Sequence, residues 1–177
     1  AMSSTNGITY SSDGTIWKAM ADNNYYSIPS IITSIQRIPG ANGTILAGAA
    51  DSLYRSTDGG ATFNLVRTPG EKSGSASAII SSNTASGVTT LMIAQSSMYR
   101  STDDGATWTK VLARLTNSDS SFGGYGAGII TMLVNKPGTD TWVGFINNWG
   151  IVTSTDNGDT WTMTFKINPS FSMTQPI

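Results

Sequence analysis

Tyr99-Arg100-Ser101-Thr102-Asp103-Asp104-Gly105-Ala106-Thr107-Trp108 decides the architecture of this chain, because the phrase recurs. It returns as Tyr54-Arg55-Ser56-Thr57-Asp58-Gly59-Gly60-Ala61-Thr62-Phe63 and as Val152-Thr153-Ser154-Thr155-Asp156-Asn157-Gly158-Asp159-Thr160-Trp161. A copy one residue shorter, Tyr10-Ser11-Ser12-Asp13-Gly14-Thr15-Ile16-Trp17, lies near the start. The opening serines, Ser11, Ser56, Ser101 and Ser154, are 45, 45 and 53 residues apart. A period of this size signals a solenoid or a propeller.

Each period holds four short apolar runs separated by Gly, Asn and Asp turns. In the second they fall at 31–38, 44–49, around Tyr54 and at 63–66; in the third at 77–81, 89–95, 98–102 and 107–112; in the fourth at 129–135, 141–147, 151–155 and 160–165. β-Branched residues dominate these runs and no sustained helical period appears. Four antiparallel strands in about 45 residues is the size of one propeller blade. The fold expected is all-β: a β-propeller of four-stranded antiparallel blades, with strands a to d running outward from the centre. The repeated phrase is the c–d hairpin. The blades are placed at about 5–20 (partial), 28–67, 76–114 and 127–165, with a tail at 166–177, all in one domain or propeller fragment.

The chemistry of the phrase suits a turn. The Asp carboxylate can accept backbone N–H groups, and the following Gly tolerates positive φ. The Thr hydroxyl can satisfy a further turn group, and the closing aromatic can cover the space between blades. Four aspartates at the same turn, Asp13, Asp58, Asp103 and Asp156, argue for structure rather than for one active site.

Composition narrows the functions. Charged residues make up 12%, against about 25% in an average domain. The net charge is -1 and the ten basic residues are scattered, so neither nucleic acid nor an anionic membrane is an expected partner. No apolar run approaches the ~20 residues of a membrane span. The chain has no Cys and no His, which excludes disulfides, thiol nucleophiles, imidazole bases and the usual zinc sites. Asp103-Asp104 and Asp156-Asn157 lack the spacing of a calcium loop, so neither metal nor cofactor is expected. Low charge with abundant hydroxyls points to an extracellular or virion-surface setting.

The phrase resembles the Asp-box, or BNR repeat, Ser-x-Asp-x-Gly-x-Thr-Trp. Its positions here are Ser11, Asp13 and Trp17; Ser56, Asp58, Gly60, Thr62 and Phe63; Ser101, Asp103, Gly105, Thr107 and Trp108; and Ser154, Asp156, Gly158, Thr160 and Trp161. The resemblance covers most of the chain and implies a sialidase-like propeller fold. The family spans sialidases and other glycosidases, sorting receptors, photosystem assembly factors, and bacterial and phage surface proteins. Sialidases hold the substrate carboxylate with three arginines, the first in Arg-Ile-Pro, and use a Tyr nucleophile with acidic partners. This chain has Arg37-Ile38-Pro39, but only Gly40 and Ala41 separate it from the Asn42-Gly43 turn. Arg37 is thereby placed near the a–b turn, on the Asp-box side. A four-residue strand, ~13 Å, separates that side from the usual catalytic mouth. Arg55 and Arg100 occupy equivalent repeat positions, and Glu71 lies in a Pro-Gly-Glu-Lys loop. No catalytic residue is assigned.

The ligand mouth is expected opposite the Asp-boxes, where b–c turns and blade links gather. Trp149, beside Asn147 and Asn148, can stack on a sugar face while the amides bond its hydroxyls. Tyr25 and Tyr26, and Phe122 and Tyr125 in the long Ser118–Gly126 link, offer the same chemistry. Trp142 alternates with Val143 and belongs to the core.

The leading functional expectation is a non-catalytic module that binds glycan or surface protein in a bacterial or phage exported assembly, such as a tail fibre or spike. The alternatives are a divergent sialidase-type hydrolase, or a fragment of one, and an architectural propeller. Ala1-Met2 reads as a vector-derived junction, and the first blade has room only for strands c and d. The chain is therefore expected to be a slice of a longer parent, a homo-oligomer sharing edges between copies, or an open arc with covered ends.

Overall fold

The computed structural model describes residues 9–11, 14–16, 18–19, 32–49, 52–66, 76–94, 97–111, 114–115, 130–146 and 150–166. Among them there is no helix, and so none long and apolar enough to cross a membrane. The strands are β1 (Thr9–Tyr10), β2 (Lys18–Ala19), β3 (Ile32–Arg37), β4 (Ile45–Ala49), β5 (Leu53–Ser56), β6 (Asn64–Val66), β7 (Ala76–Thr84), β8 (Gly87–Ala94), β9 (Ser97–Ser101), β10 (Thr109–Val111), β11 (Arg114–Leu115), β12 (Ile130–Asn135), β13 (Trp142–Ile146), β14 (Gly150–Ser154) and β15 (Thr160–Lys166).

Three antiparallel meanders follow: β3-β4-β5-β6, β7-β8-β9-β10 and β12-β13-β14-β15. They are the second, third and fourth blades of a β-propeller. β1 and β2 pair as a separate antiparallel hairpin, the c and d strands of a partial first blade. β7 packs beside both β3 and β12, so the a strands converge.

Burial explains the composition of each strand. β13 alternates buried and half-buried along Trp142–Ile146, as a strand between unlike faces does. β4 and the Leu91–Ala94 half of β8 are covered on both faces and read as continuous apolar runs. Small residues let the blades close: a Cβ on Gly48 would lie 2.7 Å from the Ala76 Cβ of the next blade. Two clusters fill the gaps. Ile38, Leu46 and Leu53 of the second blade meet Ile79, Met92, Tyr99 and Trp108 of the third. Leu91, Ile93, Met98 and Val111 of the third meet Ile130, Trp142, Val152 and Trp161 of the fourth. Trp142 is fully buried, as its alternation predicts.

Two local features differ from the sequence reading. β7 and β8 run further than 77–81 and 89–95 suggest. A two-residue turn carries the ladder to Thr84↔Gly87, and the Thr84 hydroxyl donates to the Gly87 carbonyl at 2.8 Å. β11, at Arg114–Leu115, lies beyond the 107–112 run of the third blade and is not anticipated there. That strand leaves after Val111 and pairs parallel with β15 at Thr160 and Trp161 of the next blade.

Candidate functional site

The repeated turn has the same geometry in three copies. In the second blade the Ser56 hydroxyl donates to Asp58 Oδ1 at 2.8 Å and accepts the Asp58 and Gly60 N–H groups at 3.3 and 2.9 Å. The Thr62 N–H donates to Oδ1 at 2.9 Å and its hydroxyl to Oδ2 at 2.6 Å. Ser101, Asp103, Gly105 and Thr107 repeat the pattern, as do Ser154, Asp156, Gly158 and Thr160. In the short first copy, Gly14 N–H donates to Ser11 Oγ at 2.8 Å; Asp13 and Trp17 lie outside the described residues.

Two consecutive left-handed residues close each full turn: Gly59 and Gly60 at φ +73° and +96°, Asp104 and Gly105 at +57° and +78°, Asn157 and Gly158 at +56° and +92°. Gly, Asp and Asn are the residues that enter this region most readily, which explains the variable position before the constant Gly. Sequence reasoning accounted for the Gly and missed its neighbour, although Gly59, Asp104 and Asn157 were there to signal it. The indoles of Trp108 and Trp161 donate to the Gly105 and Gly158 carbonyls at 3.1 and 2.9 Å. Both rings are buried against the preceding blade, whereas Phe63 is half-buried.

Hydrogen bonding sets the electrostatics of these turns. The Thr62 hydroxyl and N–H, with Ser56, lower the Asp58 pKa to about 2. For Asp103 and Asp156, burial opposes ionisation, but the bonds from Thr107 and Ser101, and from Thr160 and Ser154, outweigh it and the pKa falls. Asp140, in the a–b turn of the fourth blade, is lowered by the Ser86 hydroxyl and N–H. A general acid at neutral pH needs a carboxyl shifted the other way. These four carboxylates are fixed charges that organise backbone.

The arginines that precede two of the turns are inter-blade bonds. Arg55 Nε donates to the Asp104 carbonyl at 2.8 Å. Arg100 donates to the Asn157 carbonyl at 3.2 Å and pairs with Asp159 at 3.0 Å. Each guanidinium thus ties its own blade to the next blade's turn. Arg37 is exposed at the end of β3, beside the a–b turn. That turn meets the repeated turn of its own blade, with Gly59 N–H donating to Gly43 O at 2.9 Å. The fourth blade does the same through Asn157 N–H and Asp140 O at 3.1 Å. The a–b and c–d turns therefore share one pole, and Arg37 lies on it. Among the described residues no three His, Cys, Asp or Glu side chains gather into a metal site.

The opposite pole is where strand a begins and b passes to c. There each a–b ladder carries an irregularity at the same place, between Ile32 and Ser34, Ala76 and Ala78, and Ile130 and Met132. The extra residues are Thr33, Ser77 and Thr131. The Thr33 hydroxyl lies 3.1 Å from the Gly48 carbonyl and 2.6 Å from the Ala76 carbonyl; the Thr131 hydroxyl donates to the Phe145 carbonyl at 3.2 Å. Bulges of this kind are over-represented beside functional sites. Sequence reasoning missed them; the signal was a hydroxyl residue at the head of each strand a.

Trp149, Asn147 and Asn148 fall in sequence between β13 and β14, whose ladder ends at this pole in the pair Ile146↔Gly150. These three residues, and Tyr25, Tyr26, Phe122, Tyr125 and Glu71, lie outside the described residues. The anchor next to Trp149 is described: Gly150 has φ +139°, and a Cβ there would overlap the Phe165 carbonyl. The backbone at the exit of this connection is thereby held against β15.

Fold and turn chemistry together define a β-propeller built on internal repeats. Solved structures agree. The chain is similar to an ancestral GH74 enzyme, with 18% identity and a TM-score of 0.67 over 94% of this chain and 22% of that one. It is similar to YCF48 from Cyanidioschyzon merolae, with 13% identity and a TM-score of 0.57 over 83% of this chain and 44% of that one. A third is the extracellular domain of a B. thetaiotaomicron protein assigned as a one-component system, with 12% identity and a TM-score of 0.52 over 78% of this chain and 19% of that one. At these identities the likeness is one of fold, and the chain spans less than half the length of each. No protein-family model matches the chain, and no curated protein matches it.

Proposed function

We propose that the chain is a non-catalytic binding propeller. The pole opposite its repeated turns contacts glycan or surface protein within an exported assembly, such as a bacterial surface structure or a phage tail fibre or spike. The observation that carries this reading is the saturation of the repeated turns. Both carboxylate oxygens of Asp58, Asp103 and Asp156 are taken by their own turn, and Arg55 and Arg100 are taken by the next blade. That pole is scaffold. The far pole carries the bulged strand starts and the Ile146↔Gly150 end of the β13–β14 ladder, and Trp149 with its two Asn neighbours is the ligand contact we assign to it.

Glycan is the favoured ligand class within this reading, because an aromatic face flanked by amides matches the apolar ring face and hydroxyl rim of a sugar. The test is binding of the purified chain to a glycan and bacterial-polysaccharide array, with Trp149→Ala in parallel. Binding that the variant loses supports the reading. Absence of binding, or equal binding by Trp149→Ala, overturns the glycan assignment. Turnover of a fluorogenic sialoside that Arg37→Ala abolishes overturns the non-catalytic one.

A further inference from the structure

The outer face of the fourth blade is built as an interface. In the third blade the cross-strand row Ala78–Ile93–Met98–Val111 points at the fourth, and Ile93, Met98 and Val111 are buried there. Register assigns its counterpart in the fourth blade as Met132–Phe145–Ile151–Phe165. The adjacent row carries Val134 and Val143. Met132, Val134 and Phe165 are 66%, 58% and 60% exposed. A terminal repeat that faces water carries a polar outer surface; this one keeps the apolar rows of an internal blade.

The complementary face lies on the second blade, at the other end of the three four-stranded meanders. In the third blade the row Ile79–Met92–Tyr99 is buried against the second. Its counterpart in the second blade is Ile35–Ala47–Tyr54–Leu65, in which Ile35 and Leu65 are 43% and 53% exposed. The turn glycines show the same asymmetry. A Cβ on Gly105 would meet Leu46 of the preceding blade at 2.6 Å, and one on Gly158 would meet Leu91 at 3.1 Å. One on Gly60 would meet only Ile45 and Phe63 of its own blade, at 3.5 and 3.9 Å. Leu46 lies opposite Arg55 in the ladder, Leu91 opposite Arg100, and Val143 opposite Thr153. Val143 is therefore the residue of Leu46 type, and among the described residues no repeated turn packs over it; a Cβ on Gly14 of the short first turn would meet nothing within 4 Å.

We propose that a second copy of this chain covers the fourth blade, docking head to tail so that Val143 enters the partner's Gly60 turn and the Met132–Phe165 row lies across the partner's Ile35 and Leu65. The occupant follows from continuity: the packing already operates twice within the chain, and both halves left unmatched among the described residues are present on it. A net charge of -1 puts little repulsion between copies. The junction differs from the internal ones in one respect. Thr153 stands where Arg55 and Arg100 supply a guanidinium, so no such bond ties the copies. Association is accordingly weaker than blade-to-blade packing and depends on concentration. A heterologous contact of this type closes into a ring or extends.

The test is sedimentation velocity over a concentration series, with Phe165→Asp and Leu65→Asp. Both substituted residues are exposed. The unmodified chain is expected to exceed the 18.6 kDa of one copy as concentration rises, and each variant alone to remain at one copy. An equimolar mixture of the two variants is expected to form a two-chain species and nothing larger, because each retains the face that the other lacks. Restoration on mixing also shows that both variants are folded. A wild-type chain that stays at one copy throughout overturns the proposal. So does association of either variant by itself, or a mixture that does not restore it.

Discussion

Three turn glycines share one backbone conformation and differ in what lies above them, so their alanine variants separate turn strain from blade packing. Gly60, Gly105 and Gly158 have φ of +96°, +78° and +92°. An L-residue in this region costs about 1–2 kcal/mol, a cost common to all three. The contacts diverge. The methyl group of Gly60→Ala would sit at ordinary van der Waals distance from its own blade, and that of Gly158→Ala would press on Leu91. The methyl group of Gly105→Ala would overlap Leu46 Cδ2 and Cδ1 at 2.6 and 2.9 Å. Leu46 is fully buried in the cluster between the second and third blades, so it has little room to yield. Overpacking at such a site adds about 1–3 kcal/mol. Gly105→Ala should therefore destabilise by about 2–5 kcal/mol in total and Gly60→Ala by about 1–2, with Gly158→Ala between them. With a urea slope near 2 kcal/mol/M, the midpoint falls by about 1–2.5 M for Gly105→Ala and about 0.5–1 M for Gly60→Ala. The measurement is equilibrium urea unfolding by tryptophan fluorescence, at a chain concentration where the midpoint no longer depends on concentration. Equal losses at the three positions would refute the claim that the turns of the third and fourth blades are packing elements between blades.

Further outcomes follow from the same geometry. Arg55→Met and Arg100→Met each remove a charged donor from a neighbouring turn carbonyl and should cost about 1.5–3 kcal/mol in urea unfolding. Arg100→Met should exceed Arg55→Met by less than about 1 kcal/mol, since its additional partner, Asp159, is exposed and the ion pair is screened; raising salt should shrink that difference alone. The pKa of Asp58 in the fold is about 2 against an ordinary 3.8, and those of Asp103, Asp140 and Asp156 are lowered as well. Their contribution to stability is present above the unfolded value and is lost as pH falls through 3.8 towards 2. With no His in the chain, unfolding midpoints should be level between about pH 6 and 8 and fall only in acid. A midpoint that rises on acidification would contradict the hydrogen-bonded state of these carboxylates.

Much of this fold is legible in one dimension because its information is local and repeated. Ser-x-Asp-x-Gly-x-Thr closes a turn through partners no more than four residues apart. The residue types therefore imply their own hydrogen bonds, and the 45-residue spacing implies blades. The far pole is read less completely. A hydroxyl residue at the head of strand a carries no message until the ladder shows a bulge there. Trp149 and its neighbours were singled out by residue type alone.

What the sequence by itself determined is the all-β repeat architecture, the turns at Asp58, Asp103 and Asp156, the burial of Trp142 and the position of Arg37 beside the a–b turn. Each depends on neighbours in the chain or on the two-residue alternation of a strand. Tertiary structure alone decided what passes between blades. Arg55 reaches Asp104 across 49 residues and Arg100 reaches Asn157 across 57; Leu46 lies against Gly105; β11 leaves its own blade for the edge of the next. Contacts of this kind depend on how one sheet is stacked on another, and no spacing along the chain encodes that rotation. The same stacking leaves the outer face of the fourth blade apolar and exposed, a fact that hydrophobic pattern alone cannot separate from an ordinary core strand.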